Sequence, residues 1–205
     1  MVGGCLEHKK DKRRMNAVAN DVFGAHLLKD EQVLWMGQPD PGILFTGADV
    51  FLVPFSLFWG GFALFWEALV LIGRAPVFFA LWGIPFVLLG LYFIFGRFLY
   101  KRISKRRTYY AATNQRVLAL NTLWRRHLQA VYITAIADIA LSTRSNGTGT
   151  IRFGGSAPAI WGMYDNTGMD FFARGFGRAG VLAFFDIRDA AHVYDLVNAV
   201  RRQMV

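Results

Sequence analysis

Two stretches of nearly unbroken apolar side chains, Val50 to Ile72 and Val77 to Phe95, are separated only by Gly73, Arg74, Ala75 and Pro76. A helix rises about 1.5 Å per residue, so each run of roughly 20 residues matches a hydrocarbon core of about 30 Å, where a helix satisfies its own backbone. Within the two runs and away from their connection, only Glu67 is charged. The pattern predicts an integral membrane hairpin with helices over 50–72 and 77–95. The 54% hydrophobic content is concentrated there, and the remainder has ordinary soluble character. The first run starts near residue 50 and a second follows at once, so no cleaved signal peptide is expected. Gly3, Gly4 and Cys5 do not form a lipidation signal, because Gly is not at position two and no apolar stretch precedes the cysteine. One cysteine allows no internal disulfide, and Cys5 reads as a free thiol.

Residues 1–49 carry six Lys or Arg against seven Asp or Glu, the hairpin one of each, and residues 96–205 sixteen against six, for a net charge of +9. Directly after the second run come Arg97, Lys101, Arg102, Lys105, Arg106 and Arg107 with no acid among them, whereas the loop between the runs offers only Arg74. The positive-inside rule then places both termini in the cytoplasm. Lys9, Lys10, Lys12, Arg13 and Arg14 add cations on that side from further away. Cations that neutralise phosphates also give non-specific affinity for nucleic acid. Orientation and attraction to anionic head groups, about 1 kcal/mol per residue near the surface, account for a juxtamembrane cluster more simply. The six cations are therefore read as an anionic-lipid contact, and no nucleic-acid partner is expected.

Glu67 lies near the outer end of its helix, close enough to reach the interface or to pair with Arg74 across the turn; a proton or ion relay is the alternative. Pro76 suits the first turn of the second helix, and Pro85 is expected to kink it. Gly83 and Gly90 share a face, and Gly60 and Gly61 offer small residues opposite, so close helix packing is expected. Trp66 and Trp82 near the outer ends, with Tyr92 and Tyr100 near the inner one, fit interfacial belts.

Ahead of the hairpin, Met15, Val18, Val22, Phe23 and Leu27 recur at helical spacing and predict a short amphipathic helix over 15–28, docked on the membrane, on a partner or on the carboxy-terminal domain. Met15 is an alternative start of translation. Residues 31–49, with Gly37, Pro39, Pro41, Gly42 and Gly47, read as turn and extended chain. Beyond the basic stretch, strands are predicted over 109–112, 116–120, 128–134, 139–143, 148–153 and 181–187. Asn114 and Gln115 make the first tight connection, and Asn146 with Gly147 signals a two-residue hairpin. Asn146, Gly147 and Thr148 also match a glycosylation acceptor that a cytoplasmic segment never presents. A final helix over 189–203 carries an apolar stripe of Val193, Leu196, Val197, Val200 and Met204, with Asp186 or Asp189 as its cap and Arg201 and Arg202 suiting its dipole.

Leu34, Trp35, Gly37 and Pro39 before the hairpin carry a family resemblance, as do Pro54, Phe55, Ser56, Trp59, Gly60 and Trp66 within it and Gly90, Tyr92, Gly96 and Arg97 leaving it. The stretches YYAATNQRV at 109–117, GTGTIRF at 147–153 and FFDIRDAAHVYDLV at 184–197 add to it. Over nearly its whole length the chain resembles bacterial membrane proteins carrying a pleckstrin-homology-like domain behind a two-helix transmembrane hairpin. The resemblance implies a β-sandwich or barrel of about seven strands capped by the last helix, on a scaffold that binds lipids, peptides or its own copies. It also implies residence in a bacterial inner membrane. Pleckstrin-homology domains that bind phosphoinositides use basic residues between their first two strands. Here that region offers only Arg116, with Arg125 and Arg126 in the next connection, so Asn114 and Arg116 read as turn stabilisers.

Motifs for enzymes fail on context. Gly175, Gly177 and Gly180 spell GxGxxG, with Asp195 twenty residues after the first, yet they precede a strand instead of opening a helix. His8, His26, His127 and His192 show no metal spacing, and Asp138, Asp165, Asp170 and Asp186 read as solvated acids. The segment 157–180, with Trp161, Tyr164, Phe171, Phe172 and Phe176, reads as edge packing or as an aromatic loop that contacts membrane or partner.

The sequence therefore predicts an α+β membrane protein. It comprises a cytoplasmic tail over 1–49, the hairpin over 50–95, a basic linker over 96–107 and a PH-like domain over 108–205. Its expected role is a non-enzymatic, membrane-tethered interaction module without catalytic residues, cofactor or metal, presented to a protein partner, a second copy or anionic lipid. The alternative is a subunit of a small oligomeric transporter or channel, in which Glu67 and Pro85 line a path.

Overall fold

The computed structural model describes Ala19 and residues 21–154, 166–169 and 182–204. Its elements in chain order are β1 (Val33–Gly37), α1 (Asp49–Ile72), α2 (Val77–Leu91), a π-helical turn (Tyr92–Gly96), α3 (Arg97–Arg106), β2 (Thr108–Thr113), β3 (Arg116–Asn121), β4 (His127–Tyr132), β5 (Ile139–Thr143), β6 (Gly149–Phe153), β7 (Leu182–Ile187) and α4 (Ala190–Met204). The fold is α+β, with two long apolar helices and two antiparallel sheets. The chain divides into two compact units: Met1–Asp40, Ser104–Ala157 and Gly180–Val205 form the first, and Pro41–Ile103 with Pro158–Ala179 form the second.

In the first unit, β1 to β4 make a four-stranded sheet in sequence order and β5 to β7 a three-stranded one. Six of these strands fall within two residues of the stretches that β-forming residues predicted, and α4 lies one residue from its predicted bounds. β1 was read only as turn and extended chain. It is a five-residue edge strand without clean alternation, and its partner β2 lies some seventy residues on, beyond the hairpin. Within the stretch read as a basic linker, α3 runs as a helix through Arg106.

The central strands β2 and β3 of the first sheet are buried on both faces, which explains why they read as near-continuous apolar runs. Tyr110, Ala112 and Val117 face a core completed by Ile139, Ile151, Phe153 and Phe184 of the other sheet and by Val193, Val197 and Val200 of α4. Phe184 lies at its centre, stacked on Tyr110 with centroids 4.6 Å apart and edge-on to Phe153 at 4.8 Å. On the other face, Ala111, Leu118 and Leu120 pack on Ala19 and Phe23. The described part of the predicted amphipathic helix thus docks on the β unit; it is helical at Ala19 and 21–23, then tightens to a 3-10 turn at Gly24–His26. Met15 and Val18 lie outside the described residues.

The Asn146–Gly147 hairpin is one residue longer than its sequence signal. Gly147 N–H donates to the Arg144 carbonyl at 3.0 Å, Arg144 N–H to the Thr148 carbonyl at 2.7 Å, and Gly147 takes φ 79°. This is the three-residue loop that places glycine in the left-handed position. Asp186 does not cap α4, because its carboxylate is engaged elsewhere; the Asp189 carbonyl accepts the Val193 N–H at 3.2 Å.

α1 (Asp49–Ile72) and the helix that α2 begins (Val77–Arg106, through the π-helical turn and α3) are long and apolar enough to cross a membrane, and they cover the two predicted spans. They approach closely at Gly60 and Gly90, where a Cβ on Gly90 would lie 2.8 Å from the Gly60 Cα. Gly83 also faces α1, while Gly61 has nothing within 4 Å of its would-be Cβ and faces away. Pro85 sits inside α2 without ending it, as Pro54 does in α1.

Candidate functional site

The six cations after the second apolar run do not act as one patch. At four-residue spacing, Arg97, Lys101 and Lys105 lie on one buried face of α3, whereas Arg102, Arg106 and Arg107 are exposed. Burying a cation requires a paired or hydrogen-bonded partner, and each of the three has one. Arg97 donates to Asp49 at the start of α1 and, through Nε, to the Phe93 carbonyl at 2.8 Å, and its guanidinium lies 4.2 Å above the Phe98 ring. The other Asp49 oxygen accepts both the N–H and the hydroxyl of Thr46, at 2.6 and 2.8 Å. Lys101 donates to the Leu44 carbonyl at 2.6 Å. Three of the six predicted lipid contacts are therefore committed within the chain, a pairing invisible in sequence because acceptors such as Asp49 and the Leu44 carbonyl lie 48 and 57 positions away.

Lys105 donates to Asp186 at 2.6 Å and to the Asp40 carbonyl at 3.2 Å. Asp186 is fully buried, also accepts from Arg144 at 2.5 Å, and holds φ 48° at a register shift between β6 and β7. The Asp186 carbonyl accepts the Asp40 N–H at 2.8 Å. One strained residue thus ties down Asp40, the last residue before the hairpin segment, and Lys105, near the end of the helix that follows it.

Arg116, the sole cation of the β2–β3 region, is likewise consumed. It forms a two-pronged pair with Glu31 at 2.8 and 2.9 Å and donates to the His26 carbonyl at 2.6 Å. Burial alone would raise the Glu31 carboxyl, but the hydrogen bonds from Arg116, the Leu28 N–H and the Thr113 hydroxyl outweigh it and hold the group below the ordinary carboxylate range. A depressed folded-state value adds stability above the unfolded-state pKa of about 4.3 and loses it as pH falls through the folded-state value. Glu31→Gln should therefore lower the thermal unfolding midpoint at pH 7, with the gap to wild type closing as pH falls below about 4. A gap independent of pH would contradict this assignment.

Glu67 pairs with no cation among the described residues, contrary to the Arg74 expectation. Its carboxylate rests on Gly83, where any Cβ would collide with it, and Oε2 is buried without a hydrogen-bond partner. Tyr92, expected in an interfacial belt, is half-buried and donates to the Gly168 carbonyl at 2.6 Å. Trp161, Phe171, Phe172 and Phe176 lie outside the described residues, as do Gly175, Gly177 and Gly180; Asp195 sits within α4.

No protein-family model, curated protein or solved structure matches the chain.

Proposed function

We propose that the chain is a non-enzymatic, membrane-tethered interaction module. The α1–α2 hairpin crosses a bacterial inner membrane, and the β unit, a PH-like domain on the cytoplasmic side, is offered to a protein partner, a second copy or anionic lipid. The observation that carries this reading is the outward apolar surface of the hairpin. In the most apolar window of Asp49–Ile72 22% of residues are buried, and in that of Val77–Arg106 11%. A core helix of a soluble protein is mostly buried, and an exposed apolar surface of this extent needs lipid or a partner to cover it. Trp66 and Trp82 stay exposed near the outer ends, as an interfacial belt requires. The PH-like reading takes support from the arrangement of four strands, three strands and a closing helix.

Photo-cross-linking in native membranes followed by mass spectrometry should join the β unit to a partner, a second copy or anionic phospholipid. Recovery of intrachain links alone would contradict the proposal. A second reading, a subunit of a small transporter or channel, draws on the unpartnered Glu67 oxygen in α1. Under it, proteoliposomes show solute flux that Glu67→Gln abolishes while assembly persists; absence of flux leaves the module reading.

A further inference from the structure

We infer that the β3–β4 connection, residues 122–126, docks on an anionic bilayer surface with Trp124 entering the head-group layer. This rests on the membrane placement proposed above. Trp124 is 78% exposed, more than any other large apolar side chain among the described residues of its unit. It is followed by Arg125, Arg126 and His127, all exposed. An indole with its polar N–H beside cations suits a membrane interface, where the ring leaves water and the charges meet phosphates.

The connection is held rigidly to the end of α3. Thr122 donates through both N–H and hydroxyl to the Arg107 carbonyl, at 2.8 and 3.1 Å. Asn121 donates to the hydroxyls of Thr108 and Ser104 at 2.8 and 3.3 Å and accepts the Leu123 N–H at 3.0 Å. Trp124, Arg125 and Arg126 therefore share one end of the first sheet with Arg106 and Arg107.

Charge decides between occupants. No Asp or Glu occurs between Glu67 and Asp138. Among the described residues, Arg102, Arg106, Arg107, Arg125 and Arg126 form no ion pair with an acid. An anionic surface supplies that complement beside the very helix proposed to leave it.

The test uses the full-length chain in vesicles with an environment-sensitive NBD label at position 124 (Cys5→Ser with Trp124→Cys). In vesicles containing phosphatidylglycerol the label should emit blue-shifted light that a lipid-borne quencher suppresses. In pure phosphatidylcholine it should emit as in water. Adding Arg125→Gln and Arg126→Gln should lower the docking equilibrium constant roughly fivefold per arginine. Water-like emission in the anionic vesicles, emission independent of lipid charge, or a shift that requires added soluble protein would each overturn the inference. A parallel label at Leu81→Cys separates the two proposals: if it reports water, the membrane placement has failed; if it reports lipid while position 124 reports water, only the docking has.

Discussion

Asp186→Ala should destabilise the β unit by about 3–5 kcal/mol, the cost of removing one partner of a buried ion pair. Lys105, whose side chain is 4% exposed, loses its carboxylate, whereas Arg144 at 42% rehydrates cheaply, so the cost falls on the lysine. Asp186→Asn separates charge from shape, since asparagine tolerates the observed φ of 48° and still offers an acceptor oxygen. It should cost clearly less than alanine but more than a surface change. The paired variant Lys105→Met with Asp186→Asn should recover part of the loss, because no buried cation is left unpaired and asparagine keeps the backbone conformation. Denaturant unfolding of the detergent-solubilised chain, followed by near-ultraviolet circular dichroism, measures these differences. Asp186→Ala within about 0.5 kcal/mol of wild type, the range of an ordinary surface change, would contradict the burial of this cluster.

Asp49→Ala should open the end of the hairpin where Asp49 meets Arg97 by a comparable amount, about 3–5 kcal/mol, for the same reason. Arg97 is 1% exposed on its side chain and its Nη2 already lacks a partner, so without Asp49 the buried guanidinium keeps only the Phe93 carbonyl, at Nε, and no counter-charge. The Thr46 bonds to Asp49 that begin the first helix are lost as well. The expected readout is faster amide exchange over residues 46–52 in the detergent-solubilised protein, with exchange near the Gly60–Gly90 contact unchanged. Uniform acceleration along both helices would show that Asp49 and Arg97 hold the whole hairpin and not one end of it. Unchanged exchange at 46–52 would contradict the pair.

What was legible in the sequence follows from range. Periodicity and run length are local, so both apolar helices, six strands and the final helix could be read directly. β1 could not, because five residues at a sheet edge acquire their strand character from Thr113 to Tyr110 across the inserted hairpin. The basic stretch was legible as charge but not as two opposed faces. Only the buried acceptors, Asp49, the Leu44 carbonyl and Asp186, show which cations turn inward. The four-residue spacing of Arg97, Lys101 and Lys105 was a usable signal, since helical geometry alone puts them on a face apart from Arg102 and Arg106. Trp124 carries no signal in the sequence, because a single aromatic in a turn has no periodic context, and its exposure is evident only from the structure.

Bilayer residence of α1 and α2 underlies both the module and the docking of the β3–β4 connection. Washing native membranes with alkaline carbonate and sedimenting them tests it most directly, since that treatment strips peripheral proteins. The full-length chain should stay wholly with the pellet and enter solution only on addition of detergent; its release into the detergent-free supernatant would contradict the account.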